Sequence, residues 1–351
     1  MGSEAPNATM ARCPFVAPFS ETYFAEISTG EVAALAVGAV ITLANVVMFV
    51  ESARFLVKHL PVQKANALSI WLTGLPTVFA VTSLVAVLVP RSALLSDLLA
   101  AIYASFCVFI FIKLLIHYYG GEQALIDHMS GETINLRSPP VACCCVCCPK
   151  IAVNEKNLFR IKMSVLQFAI MRPIMVLVTI SVWSDNKYVR GLMMPLQAFP
   201  YLNVLNVAST MLAIYGSILL FRPSRKHLKA FNIGPKFLCC QLVLVLSDMQ
   251  TAVFDNLALN NIPPCTPILS SATRGDVWNH LIMIVEMFLI ALLARHLYRR
   301  IDGSQVIADV DVMSSGDKNT AQHENSSLNN DTNILKHTSS EKESEDHTNY
   351  M

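Results

Sequence analysis

Several ionisable and amide side chains sit inside long apolar runs, and these are the residues best placed to do chemistry. Arg172 follows Met171 and precedes Pro173, whose ring and missing amide hydrogen can bend a helix. A guanidinium in that setting offers a planar fork of donors matched to a carboxylate or sulfonate. Glu286 stands between Val285 and Met287, and Gln241, Asp248 and Gln250 share another apolar run. Gln241 and Asp248 are spaced to share one face of a helix. Together they outline a polar-lined path with Arg172 as anion receptor and Glu286, Asp248, Gln241 and Gln250 as candidate substrate contacts. The same groups could instead pair internally, Arg172 with Glu286 or Asp248, or tie helices together through their amides. Asn45, Glu51 and Lys113 lie nearer the ends of their runs and read as interfacial anchors.

The elements that must position these groups are set by composition. The chain has 351 residues, of which 54% are hydrophobic and 15% charged, against about 25% charged in soluble domains. Its mean hydropathy is +0.48. With 26 Lys and Arg against 25 Asp and Glu, no general field for nucleic acid exists. Crossing hydrocarbon about 30 Å thick takes a helix of about 20 apolar residues. Seven stretches qualify, at about 32–50, 67–89, 94–116, 163–183, 201–221, 237–257 and 280–297. The fold class is therefore an all-α integral membrane protein of seven transmembrane helices. Residues 1–30 lack a basic start followed by a compact apolar run, so the first span is expected to be retained.

Lys and Arg near membrane spans mark the cytoplasmic side. Arg54, Lys58 and Lys64 follow the first span, Arg137, Lys150, Lys156 and Arg160 the third, Arg222, Arg225, Lys226 and Lys229 the fifth, and Arg295, Arg299 and Arg300 the seventh. The opposite loops hold Arg12, Arg91, Lys187, Arg190 and Arg274. This places the amino terminus outside and the carboxyl terminus in the cytoplasm. An extracellular arm spans 1–31, the membrane domain 32–300 with a cytoplasmic loop 117–162, and a polar, disordered tail 301–351. Asn7 opens an N-x-Thr sequon on the outer side, so a glycan is expected there; Asn325 and Asn330 head sequons on the inner side and should stay bare.

Five of ten cysteines, Cys143, Cys144, Cys145, Cys147 and Cys148, crowd the 117–162 loop. A reducing cytoplasm disfavours disulfides there. Zinc would need a second Cys or His pair at finger-like spacing, and none follows, so no metal is assigned. S-acylation (palmitoylation) fits juxtamembrane thiols, each buried CH₂ of an added chain contributing about 0.8 kcal/mol; an unmodified loop is the plain alternative. Cys13 and Cys265 both lie outside, where oxidising conditions permit a bridge.

Three patterns carry a resemblance to a known family: Tyr119-Gly120-Gly121-Glu122 after the third span, the cysteine run ending at Pro149, and Gly234-Pro235-Lys236-Phe237 opening the sixth span. In these the chain resembles the alpha subunit of the organic solute transporter, from the first span to the basic segment after the seventh. The resemblance implies a seven-span basolateral plasma-membrane protein, passing through the endoplasmic reticulum during assembly. It also implies a single-span beta partner, in heterodimers able to assemble further, and facilitated diffusion of bile acids, conjugated steroids and related amphipathic anions with no cofactor. A glutamate near Glu286 fits the family pattern.

The competing function is a seven-span G-protein-coupled receptor for a lipid or sterol. Ile116-His117-Tyr118-Tyr119 stands where such receptors carry an acid-Arg-aromatic switch, and the seventh span lacks proline. An enzyme is not expected, because no H-E-x-x-H, G-x-S-x-G or Asp-His-His-Cys pattern is present. The phosphate loop of nucleotide-driven pumps is also missing, and so is the row of midplane carboxylates usual in ion-driven carriers. A path that follows the substrate's own gradient is what remains.

Overall fold

The computed structural model describes residues 17–59, 63–137, 150–185, 187–188, 190, 194–266 and 269–298. Asn7, Cys13, the Cys143–Cys148 run, Asn325 and Asn330 lie outside the described residues.

Helices dominate because the apolar runs have no aqueous partner for their backbone except themselves. A short helix α1 (Ser20–Glu26) precedes α2 (Thr29–His59) and α3 (Gln63–Leu88). A 3₁₀ turn at Pro90–Ser92, where proline supplies the first turn, leads into α4 (Ala93–Tyr118). Then come α5 (Glu122–His128), a two-stranded antiparallel ribbon of β1 (Thr133–Asn135) and β2 (Lys150–Ala152), and α6 (Glu155–Ser184). The remaining helices are α7 (Phe199–His227), α8 (Ile233–Leu259) and α9 (Ser271–Tyr298). Seven of them are long and apolar enough to cross a membrane, in the seven places read from the sequence.

Three spans exceed their hydropathy windows by eight residues or more at one end. α2 runs on to His59, α6 begins at Glu155 and α9 begins at Ser271. Hydropathy locates the part of a helix that sits in hydrocarbon, whereas the hydrogen-bonded helix continues into polar turns on either side.

α3 packs on α2, α4 and α9; α6 packs on α7 and α4, and α8 on α9. Close approach of α6 and α7 depends on Gly216, where a Cβ would overlap Ser164 Oγ and stand 3.3 Å from the Ile161 carbonyl. Amides glue helices as the sequence allowed. Gln167 Nε2 donates to the Ser209 carbonyl at 3.1 Å, and Ser209 Oγ donates back to Gln167 Oε1 at 3.0 Å. Asn45 departs from its expected role as an interfacial anchor: it is fully buried and accepts a 2.9 Å hydrogen bond from Thr77 Oγ1, so it ties α2 to α3.

The bundle is antiparallel, and its two ends differ. At one end the close of α4 meets the start of α8: Tyr118 stacks on Phe231 with centroids 4.7 Å apart, and Lys236 Nζ donates to Tyr118 Oη at 3.2 Å. Phe221 stacks on Phe237 at 4.1 Å, and Arg295 of α9 reaches Glu51 of α2 at 2.8 Å. Tyr119-Gly120-Gly121-Glu122 makes the turn from α4 into α5 here, with Gly120 and Gly121 at φ 87° and 126°, backbone that a side chain would strain. The start of α4, the ends of α6 and α8 and the start of α9 form the other end.

Candidate functional site

A cavity of about 370 Å³ opens among α3, α4, α6, α7, α8 and α9, within the size range of small-molecule sites. Much of its wall is apolar, with Phe79, Met175 and Leu244 among the contributors. The polar groups converge from several helices.

Arg172 of α6 and Asp248 of α8 both line this cavity, and each feels the other's charge. No ion pair joins them at 4.0 Å or less, and among the described residues Arg172 has no hydrogen-bond acceptor; its guanidinium lies 5.7 Å from the Phe168 ring centroid. Charge balance without direct contact leaves the donor fork available to another anion. A bulky apolar body has room beside it, since Met175 and Val176 follow on the same helix.

The other sequence-selected groups fall elsewhere. Gln241 donates from Nε2 to Ser217 Oγ at 3.3 Å, an α8–α7 tie. Gln250 and Glu286 are not part of the cavity wall, and each keeps one buried side-chain oxygen without a partner. The shared face of Gln241 and Asp248 therefore does not become one continuous lining: Asp248 faces the cavity and Gln241 an adjacent helix. Cys265 is disulfide-bonded, while Cys107, Cys239 and Cys240 are free and buried in the spans.

Sequence reasoning missed the densest polar cluster. Arg190, in the connection between α6 and α7, reaches three helices at once. Its Nη1 donates to Asp97 Oδ2 of α4 at 2.6 Å, its Nε to Asp255 Oδ1 of α8 at 3.1 Å, and its Nη2 to Asp276 Oδ1 of α9. Burial works against the charge of Arg190, but Asp276, Asp97 and Asp255 outweigh it and hold the guanidinium well above its ordinary, already high value. His280 completes the group, with Nε2 3.8 Å from Asp97 Oδ1 and Nδ1 3.4 Å from Ser83 Oγ. Tyr188 lies between Arg172 and this cluster electrostatically, and burial pushes its phenol up, so it remains a neutral hydroxyl.

A signal for this cluster existed. Asp97 and Asp255 fall inside the apolar stretches chosen as spans, both toward the same end, and Arg190 sits in a short loop at that end. The aspartates were not weighed in the sequence, and Arg190 entered only as one of the basic residues of the outer loops. The three aspartates are committed to a guanidinium, and among the described residues no His, Cys, Asp or Glu group has the arrangement to hold a metal ion.

Residues 34–302 match the family described as Organic solute transporter Ostalpha. The chain is 31% identical over 299 residues to the organic solute transporter subunit alpha of Danio rerio, covering 85% of this chain and 91% of that relative. It is 26% identical over 290 residues to the protein of the same name from Leucoraja erinaceus, 83% of this chain and 82% of the relative. Against the Homo sapiens protein of that name it is 28% identical over 274 residues, 78% and 80%. No solved structure matches the chain.

Proposed function

The chain belongs to the organic solute transporter alpha family, and from that premise we propose that it is the alpha subunit of a carrier passing amphipathic organic anions down their gradient. Bile acids and conjugated steroids are the substrate class, and a single-span beta subunit completes the carrier. The observation that carries this reading is Arg172, a guanidinium on the wall of an apolar cavity with no hydrogen-bond acceptor among the described residues. An amphipathic anion supplies the missing carboxylate or sulfonate and lays its hydrocarbon against Phe79 and Met175. Asp248 keeps the empty site near electroneutrality and gives Arg172 a resting orientation, which limits the desolvation cost of a cation at depth. Glu286, Gln241 and Gln250 then serve helix packing or a neighbouring part of the path.

Family membership favours a carrier over the seven-span receptor, and a carrier makes no covalent change in its cargo. The basic loops set the Arg190 end outside, so the anion meets that end from the extracellular side and the aromatic end from the cytoplasm. Basolateral plasma membrane, reached through the endoplasmic reticulum, is the expected location. A glycan on Asn7, a Cys13–Cys265 bridge and acylation of Cys143, Cys144, Cys145, Cys147 and Cys148 belong to the same reading.

Labelled taurocholate and steroid-sulfate flux in cells with this chain, a beta partner, or both tests it. Flux requiring both chains, without dependence on sodium, a proton gradient or ATP, is the expected result. Arg172→Ala should lower uptake of sulfated or carboxylated sterols about tenfold while sparing neutral ones, on the scale of a lost charge-assisted contact. Equal loss for both would assign Arg172 to folding.

A further inference from the structure

The Arg190 end of the cavity carries more acceptors than its own donors use. Asn279 and His280, at 1% and 2% exposure, are among the most buried polar residues of the protein, and both line the cavity. Asn279 Nδ2 donates to Thr251 Oγ1 at 3.4 Å, which leaves Oδ1 as the free end of the amide, buried and without a partner. One helical turn away on α9 is Asp276, and one turn from Thr251 on α8 is Asp255. Arg190 takes a single oxygen from each of Asp97, Asp255 and Asp276. One guanidinium faces three carboxylates, so acidic groups outnumber the cation in this cluster.

A buried acceptor with no donor is costly unless a ligand supplies one. The surplus oxygens here all accept, in a field that repels ketone, carboxylate and sulfate oxygens alike, and His280 Nε2, also buried without a hydrogen-bond partner, stands 3.8 Å from Asp97 Oδ1. Arg172, on the same wall but outside that cluster, has the opposite need. We propose that the cavity reads its cargo at two poles, the anionic group at Arg172 and a hydroxyl at the Arg190 end, with Asn279 Oδ1 accepting the hydroxyl proton. Asn279 is then a specificity-determining residue: it separates amphipathic anions that bear a hydrogen-bond donor remote from their charge from those that bear only a carbonyl there. This rests on the reading of the cavity as the anion's site, and it adds an orientation to that reading.

The test uses two sulfated steroids of one skeleton, sulfated at the same position and carrying either a hydroxyl or a ketone at the far end. Concentration-dependent uptake is measured in cells expressing the full chain with its beta partner, and corrected for surface protein. The wild type should show a KM about tenfold lower for the hydroxyl steroid, the scale of one buried hydrogen bond to an otherwise unpaired acceptor. Asn279→Ala should bring the two KM values within about twofold by raising that of the hydroxyl steroid alone, and Asn279→Ser, which keeps an oxygen, should recover part of the gap. Equal KM values in the wild type would overturn the proposal, whatever the variants do. So would a preference that survives both substitutions unchanged. If neither steroid is carried while surface protein is normal, the anion-carrier reading itself fails, and this inference fails with it.

Discussion

The two ends of the bundle solve the same difficulty, a cation held away from bulk water, by opposite means. At one end Arg190 is surrounded by Asp97, Asp255 and Asp276 from three helices. At the other, Lys236 is buried at 8% exposure; Tyr118 Oη accepts its hydrogen bond, and the Tyr118 and Tyr298 ring centroids lie 5.3 and 5.1 Å away. Carboxylates bring strong, directional charge and leave spare acceptors facing a cavity. Aromatic faces bring weaker attraction and fill space, so Tyr118, Phe231, Phe221 and Phe237 close their end by packing. The carboxylate end is thus equipped to exchange partners with a ligand, and the aromatic end to hold its shape.

The largest effect expected from this contrast is at Arg190. Arg190→Ala leaves three carboxylates facing one another without their cation, a loss of about 3–5 kcal/mol for a broken buried pair. Surface-mature protein should fall to a small fraction of wild type, with Arg190→Lys intermediate because an ammonium cannot span three acceptors as a fork does. The raised pKa of Arg190 fixes the sign of its pH dependence. A cation whose folded pKa lies above its unfolded value contributes fully below the unfolded value, and that contribution fades only as pH climbs through the folded one. Thermal stability measured from pH 7 to pH 10 should therefore show no loss traceable to Arg190. Near-normal maturation of Arg190→Ala would mean that the two ends do not differ in the way described.

Gly216→Ala comes next and concerns packing at the aromatic end. The added methyl overlaps Ser164 Oγ, which can rotate, but it also meets Val165 Cγ2 at 3.1 Å and the Ile161 carbonyl at 3.3 Å. α6 and α7 must part slightly, at a cost of about 1–3 kcal/mol. A drop of several degrees in the melting point of the detergent-solubilised protein checks it; no drop would show that the α6–α7 contact has slack.

How far these features could be read beforehand depends on the kind of signal each one gives. Seven spans were legible because about 20 apolar residues in a row have few other uses. Arg172 and Asp248 were legible because an ionised group at depth is costly enough to need a reason. Asp97, Asp255, Asp276 and Arg190 were not, since Asp97 and Asp255 lie within the terminal turns of their spans and Asp276 and Arg190 beyond theirs, where charge is ordinary. Only the fold shows that residues from 97 to 276 meet at one point. Asn45 was misread for the related reason that distance along the chain from an apolar end says nothing of which side faces a neighbour.

Lys236→Met should have a smaller effect than either. Methionine keeps the length and apolar contact of the stem, and what is lost is one hydrogen bond and cation–π attraction of about 0.5–2 kcal/mol. Against that stands the relief of a desolvated ammonium that has no carboxylate within 4.0 Å among the described residues. The net change in melting free energy should stay within about 1 kcal/mol. A loss as large as that of Arg190→Ala would erase the distinction between the two ends.

The smallest effect is expected at Glu51 and Arg295, also at the aromatic end. Their side chains are 48% and 33% exposed and 2.8 Å apart. A pair this accessible is screened by solvent and contributes about 0–1 kcal/mol. Arg295 Nε is buried without an acceptor, so the guanidinium is not fully served by Glu51, and swapping the acid for its amide leaves an oxygen to accept in its place. Glu51→Gln should shift the melting point by no more than a degree or two. A double-substitution cycle with Arg295→Gln isolates the pair itself, and its coupling should fall further when salt is raised. Coupling of several kcal/mol, insensitive to salt, would place a buried ion pair at the aromatic end after all.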